Sequence, residues 1–269
     1  MQALRISLVQ GATRWHDLAG NREYYGAMIA PLRGHSDLIV LPETFTSGFS
    51  NEAIHQAETM HGATVDWLRA QARELGAAIT GSVQLRVGEG GAAKVYNRLL
   101  FATPDGSVVH YDKRHLFRYA GEHERYAAGD ERLIVDWRGW RICPLVCYDL
   151  RFPVYVRNRY DSEAQRFDYD LLLFVANWPA ARRYAWSTLL RARAIENLSY
   201  CAGLNRVGVD GNELHYAGDS AVLDFLGQPL TELGPQEQVV TVRLDADALA
   251  AHRARFPAWM DADAFALKS

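Results

Sequence analysis

The sequence predicts an α/β fold, specifically a four-layer α-β-β-α sandwich with two mixed sheets. Three observations carry that expectation. Strand-like and helix-like apolar patterns alternate along the chain. Two segments, LIVL and LLLFVA, are apolar at every position, so both faces of each strand must be covered. Several β-rich runs come in pairs joined by tight-turn residues, which sets antiparallel strands beside parallel ones. Two sheets packed on each other and roofed by helices satisfy all three.

The elements follow in order. LRISLVQ reads as a buried strand, Leu18 to Leu32 carries helix-compatible apolar spacing, and DLIVLPE returns to strand. From Thr64 to Leu75, residues Val65, Leu68, Ala72 and Leu75 recur three or four apart, the stripe of an amphipathic helix, with Gly76 at the C-terminal cap position. AAITGSVQ follows as a strand. KVYNRLLFATPDGSVVHYDK is a hairpin turning at Pro104-Asp105-Gly106, where proline presets φ and glycine tolerates the positive φ of a tight turn. RLIVDWRGWRICPLVCYDL, turning at Arg138-Gly139, and SAVLDFLGQPLTEL, turning at Leu226-Gly227, read as two more. Between them come a helix after Pro153, the strand DLLLFVA, a long helix from about Ala180 to Asn197, and the strand SYCAGLNRVG. No internal repeat divides the chain, and one domain over residues 1–269 is expected.

Composition narrows the function. The 269 residues carry a net charge of −3 and 49% hydrophobic content, so no basic excess exists to neutralise phosphates; a small molecule, not nucleic acid, is the expected partner. No run approaches the roughly 18 apolar residues of a spanning helix, so no membrane partner is expected. MQALRISLVQ lacks the charged and apolar regions of a secretory signal, and a cytoplasmic location is expected. Cys143, Cys147 and Cys201 cannot all pair, and their spacing matches no zinc-ligand pattern, so neither a disulfide framework nor a metal site is expected.

Cys147 lies in PLVCYDLRF, where an apolar strand gives way to turn-forming residues. A thiol on such a bend is presented to a ligand, with the following backbone N–H groups aimed at one oxyanion position. A free thiol has a pKa of about 8.5 and needs a base or a nearby cation to become a nucleophile. The nine histidines sit mostly in polar, loop-like contexts. Glu43 in LIVLPET instead follows an apolar strand and a proline, where partial burial suits a carboxylate to take and return a proton. Lys113, in HYDKRHLF, would stabilise a thiolate and a developing oxyanion, although Asp112-Lys113-Arg114 is also the composition of a solvated turn. Glu122 in GEHERY has the context of an exposed loop acid.

Together these segments resemble the nitrilase superfamily of carbon–nitrogen hydrolases, whose glutamate, lysine and cysteine motifs occur in that order. LPETFTSGF matches the first, YDKRHLF the second and LVCYDLRFP the third, while ANWP, RARAIEN and GLNRVG match later landmarks, so the resemblance covers nearly the whole chain. It implies Glu43 as general base and later acid, Lys113 as stabiliser of the oxyanion, Cys147 as nucleophile, and the Tyr148 N–H in the oxyanion hole. A second glutamate near the family's site aligns with Glu122 by its distance to Gly129, with Glu124 as the alternative. DKRHLFR, GWRICPLVCYDLRFP and FVANWPAARRYAW look most like bacterial omega-amidases, which implies hydrolysis of the terminal amide of 2-oxoglutaramate or 2-oxosuccinamate. Chemistry of this kind needs no metal and the sequence shows no clustered His, Asp or Glu ligands, so no cofactor is expected, and the resemblance also implies a homodimer. For an anionic substrate Arg151 is the first cation to name, with a structural ion pair to Asp149 or another acid as the alternative; Tyr119 and Trp178 are candidate pocket walls, with core or loop packing as the alternative. Rival readings are another amidase or N-carbamoyl hydrolase of the same superfamily, and a non-catalytic binding or assembly module.

Overall fold

Alternation along each strand decides which side chains reach which layer. A computed structural model describes residues 2–263 and 265–267. In chain order the first half contains β1 (Leu4–Gln10), α1 (Leu18–Ile29), β2 (Leu38–Val40), α2 (Ala63–Leu75), β3 (Ala78–Val87), β4 (Lys94–Ala102), β5 (Val108–Asp112) and α3 (Glu122–Arg125). The middle holds β6 (Val135–Trp137), β7 (Trp140–Val146), α4 (Pro153–Val156), β8 (Tyr160–Asp161), β9 (Arg166–Phe167), β10 (Leu171–Ala176) and α5 (Arg183–Asn197). The last part holds β11 (Tyr200–Asn205), β12 (Val207–Val209), β13 (His215–Ala217), β14 (Ala221–Leu223), β15 (Pro229–Glu232), β16 (Gln238–Leu244) and α6 (Ala246–Arg255).

Two six-stranded sheets form, in the orders β16-β1-β2-β3-β4-β5 and β15-β14-β11-β10-β7-β6. Both are mixed, as expected: β1, β2 and β3 run parallel in the first, β7, β10 and β11 in the second, and antiparallel strands flank each trio. Ile6, Leu8, Leu38, Val40, Leu99 and Phe101 share a core with Ile142, Leu171, Leu173, Leu204 and Val222, so the sheets face each other. The alternate residues Val9, Ile39, Leu41, Ile79 and Leu100 point the other way, onto Tyr25 and Ile29 of α1 and Val65, Leu68 and Ala72 of α2. On the far side Trp186 and Leu190 of α5 press so closely on β11 that a Cβ at Gly203 would lie 2.5 Å from Leu190 Cδ1. The four-layer sandwich expected from the sequence is therefore present.

Local signals explain the boundaries. Gly76 caps α2 at φ 66°, donating its N–H to the Ala72 carbonyl. Arg138 and Gly139 both adopt positive φ, 51° and 82°, in the two-residue turn between β6 and β7. The helix expected after Pro153 is a single turn. Two further elements, β16 and α6, were not anticipated from the sequence. β16 pairs antiparallel with β1 from Leu4↔Leu244 to Gln10↔Gln238, and α6 follows it, capped by the Asp245 side chain. Among the described residues no helix is long and apolar enough to cross a membrane.

Candidate active site

Parallel strands leave their C-terminal ends on one edge, where backbone groups run out of ladder partners and loops carry ligand groups. Glu43 stands three residues past β2, Cys147 immediately past β7 and Asn177 immediately past β10; Lys113 follows the last residue of β5. All four line one cleft with about 220 Å³ of water-accessible space, scaled to a small molecule.

Each position is held by its own backbone. The segment after β2 is tied to β3 by Leu41 N–H to Thr80 O (2.7 Å), Thr44 N–H to Ser82 Oγ (2.9 Å) and Phe45 N–H to Ser82 O (3.1 Å). Thr44 adopts φ 43°, a conformation costly for a β-branched residue. Lys113 donates its N–H to Asn97 O at 3.0 Å and accepts from Gly129 N at 3.0 Å. Gly129 lies so close that a Cβ there would meet Asp112 O at 2.3 Å. Cys147 opens a 3-10 turn, Cys147–Arg151, with φ 45°, the sharp left-handed bend anticipated from the strand-to-turn transition. The Tyr148 N–H lies in the first positions of that turn, where backbone donors have no partner within it.

The bend is clamped by Asp149, a fully buried carboxylate. Its Oδ2 accepts from Val146 N (3.0 Å) and Tyr111 Oη (2.9 Å), and its Oδ1 from His115 N (3.1 Å) and His115 Nδ1 (2.7 Å), which must carry the proton. The His115 ring stacks on Phe152 at 3.7 Å. Asp149 thus links the segment bearing Lys113 to the segment bearing Cys147. Its four donors leave no role for it as the ion-pair partner of Arg151, the alternative considered from sequence.

The charged groups form one network. Lys113 Nζ lies 3.0 Å from Glu43 Oε1 and 3.0 Å from both oxygens of Glu122. Asn97 Nδ2 bridges the carboxylates, 2.8 Å from Glu43 Oε1 and 3.3 Å from Glu122 Oε1. Phe117 N donates to Glu122 Oε2 at 2.6 Å, and Asn177 N to Glu43 Oε2 at 2.7 Å. The lysine also faces the Phe49 ring at 5.3 Å. Glu122 is fully buried, so its exposed neighbours Glu124 and Arg125 misrepresent its setting; Glu124 stays on the surface.

Protonation follows from this packing. Burial opposes the Lys113 charge, but Glu122, Glu43 and the Cys147 sulfur together prevail and its pKa is raised. Burial raises the Glu122 pKa, against the pull of Lys113. Burial also pushes the Cys147 thiol well above its ordinary value; Glu43 adds to the rise and Lys113 opposes it. The Cys147 thiol is held neutral by its burial, with its sulfur 4.0 Å from the Asn177 carbonyl oxygen. Among the described residues no group of three or more His, Cys, Asp or Glu is arranged to hold a metal.

The three residues named as recognition groups also line the cleft. Arg151 lies with its guanidinium 4.9 Å from the Trp178 ring, Trp178 is buried, and Tyr119 stands at the rim, 87% exposed. Sequence reasoning missed Asn97, Phe117 and Asn177, which donate to the two carboxylates, and Tyr216 and Arg182, which line the cleft. Asn177 had a signal, an amide in the ANWP segment at the end of an apolar strand; the others had none beyond residue type.

A two-sheet sandwich with a glutamate, lysine and cysteine at its strand ends defines a hydrolase of carbon–nitrogen bonds. The chain belongs to the carbon–nitrogen hydrolase family, whose pattern matches residues 5–254. It is 48% identical to omega-amidase YafV of Escherichia coli strain K12 over 268 residues, 99% of this chain and 100% of that one. It is 33% identical to 2-oxoglutaramate amidase of Bacillus subtilis strain 168, over 84% of this chain and 85% of that one. Among solved structures, a carbon–nitrogen hydrolase superfamily protein from Xanthomonas campestris, with an arsenic adduct in its active site, is 69% identical with a TM-score of 0.97 over 100% of both chains.

Proposed function

We propose that this hydrolase is an omega-amidase that converts 2-oxoglutaramate or 2-oxosuccinamate to the 2-oxo dicarboxylic acid and ammonia through a cysteine thioester, as one catalytic domain. The observation that carries the reading is the meeting of Glu43, Lys113 and Cys147 at one small cleft, with the two charged side chains 3.0 Å apart.

In this mechanism Glu43 takes the Cys147 proton and the thiolate attacks the amide carbon. The carbonyl oxygen becomes an oxyanion, stabilised by the Lys113 ammonium and the Tyr148 N–H. Glu43 returns its proton to the leaving nitrogen, the C–N bond breaks, and ammonia departs. The same carboxylate then takes a proton from water, which attacks the thioester; the new carboxylic acid leaves and the sulfur recovers its proton. Glu122 holds the lysine between two carboxylates and so keeps it charged. Arg151 binds the substrate carboxylate, with Trp178 and Tyr119 as walls. A cytoplasmic homodimer belongs to the same reading, by likeness to the superfamily.

The test is ammonia release from 2-oxoglutaramate, glutamine and N-carbamoyl-β-alanine by the parent and by Cys147→Ala. The parent is expected to be fastest on 2-oxoglutaramate, yielding 2-oxoglutarate, and Cys147→Ala to be inactive. Preference for N-carbamoyl-β-alanine, with carbon dioxide and amine as products, overturns the omega-amidase assignment.

A further inference from the structure

We propose that Arg182 joins Arg151 in a two-guanidinium subsite that selects amides whose far end is a 2-oxo carboxylate and disfavours amides carrying an ammonium group there. The proposal deepens the amidase reading above and rests on it for the identity of the substrate.

The charged side chains lining the cleft are Glu43, Lys113, Arg151 and Arg182. Glu43 and Lys113 pair at 3.0 Å, and Glu122 lies behind the lysine, also at 3.0 Å. Neither guanidinium has an acidic partner among the described residues, so the mouth of the cleft is cationic although the whole chain is net −3. The neighbouring arginine shows the contrast. Arg183 is bound to Asp219 by two hydrogen bonds, 2.9 and 2.6 Å, outside the cleft, whereas Arg182 turns into it.

Both guanidiniums rest on aromatic rings. Arg151 lies 4.9 Å from the Trp178 centroid; Arg182 lies 5.3 Å from Phe117 and 6.0 Å from Tyr119. One indole ties the two together, because Trp178 Nε1 donates to the Arg182 carbonyl at 2.9 Å while its face carries Arg151. Trp178 itself packs on Trp186 at 5.4 Å. A guanidinium fixed on a ring face keeps its in-plane N–H groups for a planar acceptor, and its weak hydration makes desolvation tolerable. A carboxylate with an adjacent oxo group offers three acceptor oxygens to such a pair. An amino acid amide puts a positive charge in the same place.

The experiment uses two probes of one chain length that cannot be hydrolysed: 2-oxopentanoate, and L-2-aminopentanoate with ammonium in place of the oxo group. Protection of Cys147 from iodoacetamide is followed by mass spectrometry in the parent, Arg182→Ala, Arg182→Lys and Arg182→Glu. The half-protecting concentration of 2-oxopentanoate is expected to rise at least fivefold in Arg182→Ala, less in Arg182→Lys and most in Arg182→Glu, narrowing the gap to 2-aminopentanoate. In turnover, Arg182→Ala is expected to raise KM for 2-oxoglutaramate at least tenfold and change kcat less than threefold. Unchanged protection in both Arg182→Ala and Arg182→Glu overturns the subsite, as does a loss confined to kcat. If protection moves as expected but the parent does not prefer 2-oxoglutaramate, the substrate reading falls and the anion subsite stands.

Discussion

The main-chain N–H of Asn177 donates to Glu43 Oε2 at 2.7 Å, joining the end of β10 in one sheet to the loop after β2 in the other. The Asn177 side chain reinforces the link through Glu43 O at 2.7 Å and Thr44 Oγ1 at 3.0 Å. With Oε1 held by Lys113 and Asn97, both oxygens of the carboxylate are aimed by donors from both halves of the molecule.

Glu43→Gln keeps the shape but removes the proton carrier and turns an amide N–H₂ toward donors. Since positioned acid–base groups contribute about 10²–10⁴-fold, kcat is expected to fall by about that range with an unchanged far-ultraviolet circular dichroism spectrum. A loss below tenfold in ammonia release would remove Glu43 from the proton-transfer role.

Lys113→Met leaves Glu43 and Glu122 facing each other without a counter-charge. Breaking a buried ion pair from one side costs about 3–5 kcal/mol, so the urea midpoint should fall substantially as well as activity. Activity lost with an unmoved midpoint would mean that the lysine stabilises only the reacting species and not the folded site.

The raised pKa of Glu122 has a definite sign in stability. Below about 4.3, the ordinary glutamate value, both folded and unfolded states hold the proton and the contribution is fully present. As pH rises through the higher folded pKa that contribution is lost, because burial penalises the charged form. Glu122→Gln lacks this dependence. Urea unfolding at pH 5 and pH 8 is therefore expected to show the parent losing stability relative to Glu122→Gln at the higher pH; the opposite trend would mean that Lys113 dominates the balance.

The three thiols should separate cleanly. Cys143 and Cys201 have no exposed surface, and burial pushes Cys143 up to about 12 and raises Cys201 as well. Cys147 alone borders the cleft. One equivalent of iodoacetamide should modify Cys147 and spare the others until the protein is unfolded. Because the Cys147 pKa is raised, its alkylation rate should keep climbing beyond pH 9; a plateau near neutrality would show a thiolate already formed at rest.

Much of this architecture was legible because its signals are local. LIVL and LLLFVA announce strands covered on both faces, and Gly76 and Arg138-Gly139 mark turns by backbone conformation alone. The segments of Glu43, Lys113 and Cys147 are singled out together only by their resemblance to a family's ordered motifs, since Asp112-Lys113-Arg114 by itself has the composition of a solvated turn. β16 was not legible: QVVTVRL mixes apolar and polar residues on a half-exposed edge strand, and its pairing with β1 is a relation between chain ends. Asn97 turns toward Glu43 only because of the face it occupies in the hairpin of β4 and β5. Nothing within AARRYAW says which arginine Asp219 will neutralise.

The Asn177–Glu43 link spans 134 residues of sequence, and closing so long a loop delays the contact relative to hairpins such as β4–β5. During synthesis Glu43, Lys113 and Cys147 all emerge before β10, β11 and β16 exist to complete the two sheets. The nascent chain therefore carries its thiol without the carboxylate aligned against it. The hydrogen bonds that orient Glu43 from the second sheet form only when the two halves dock.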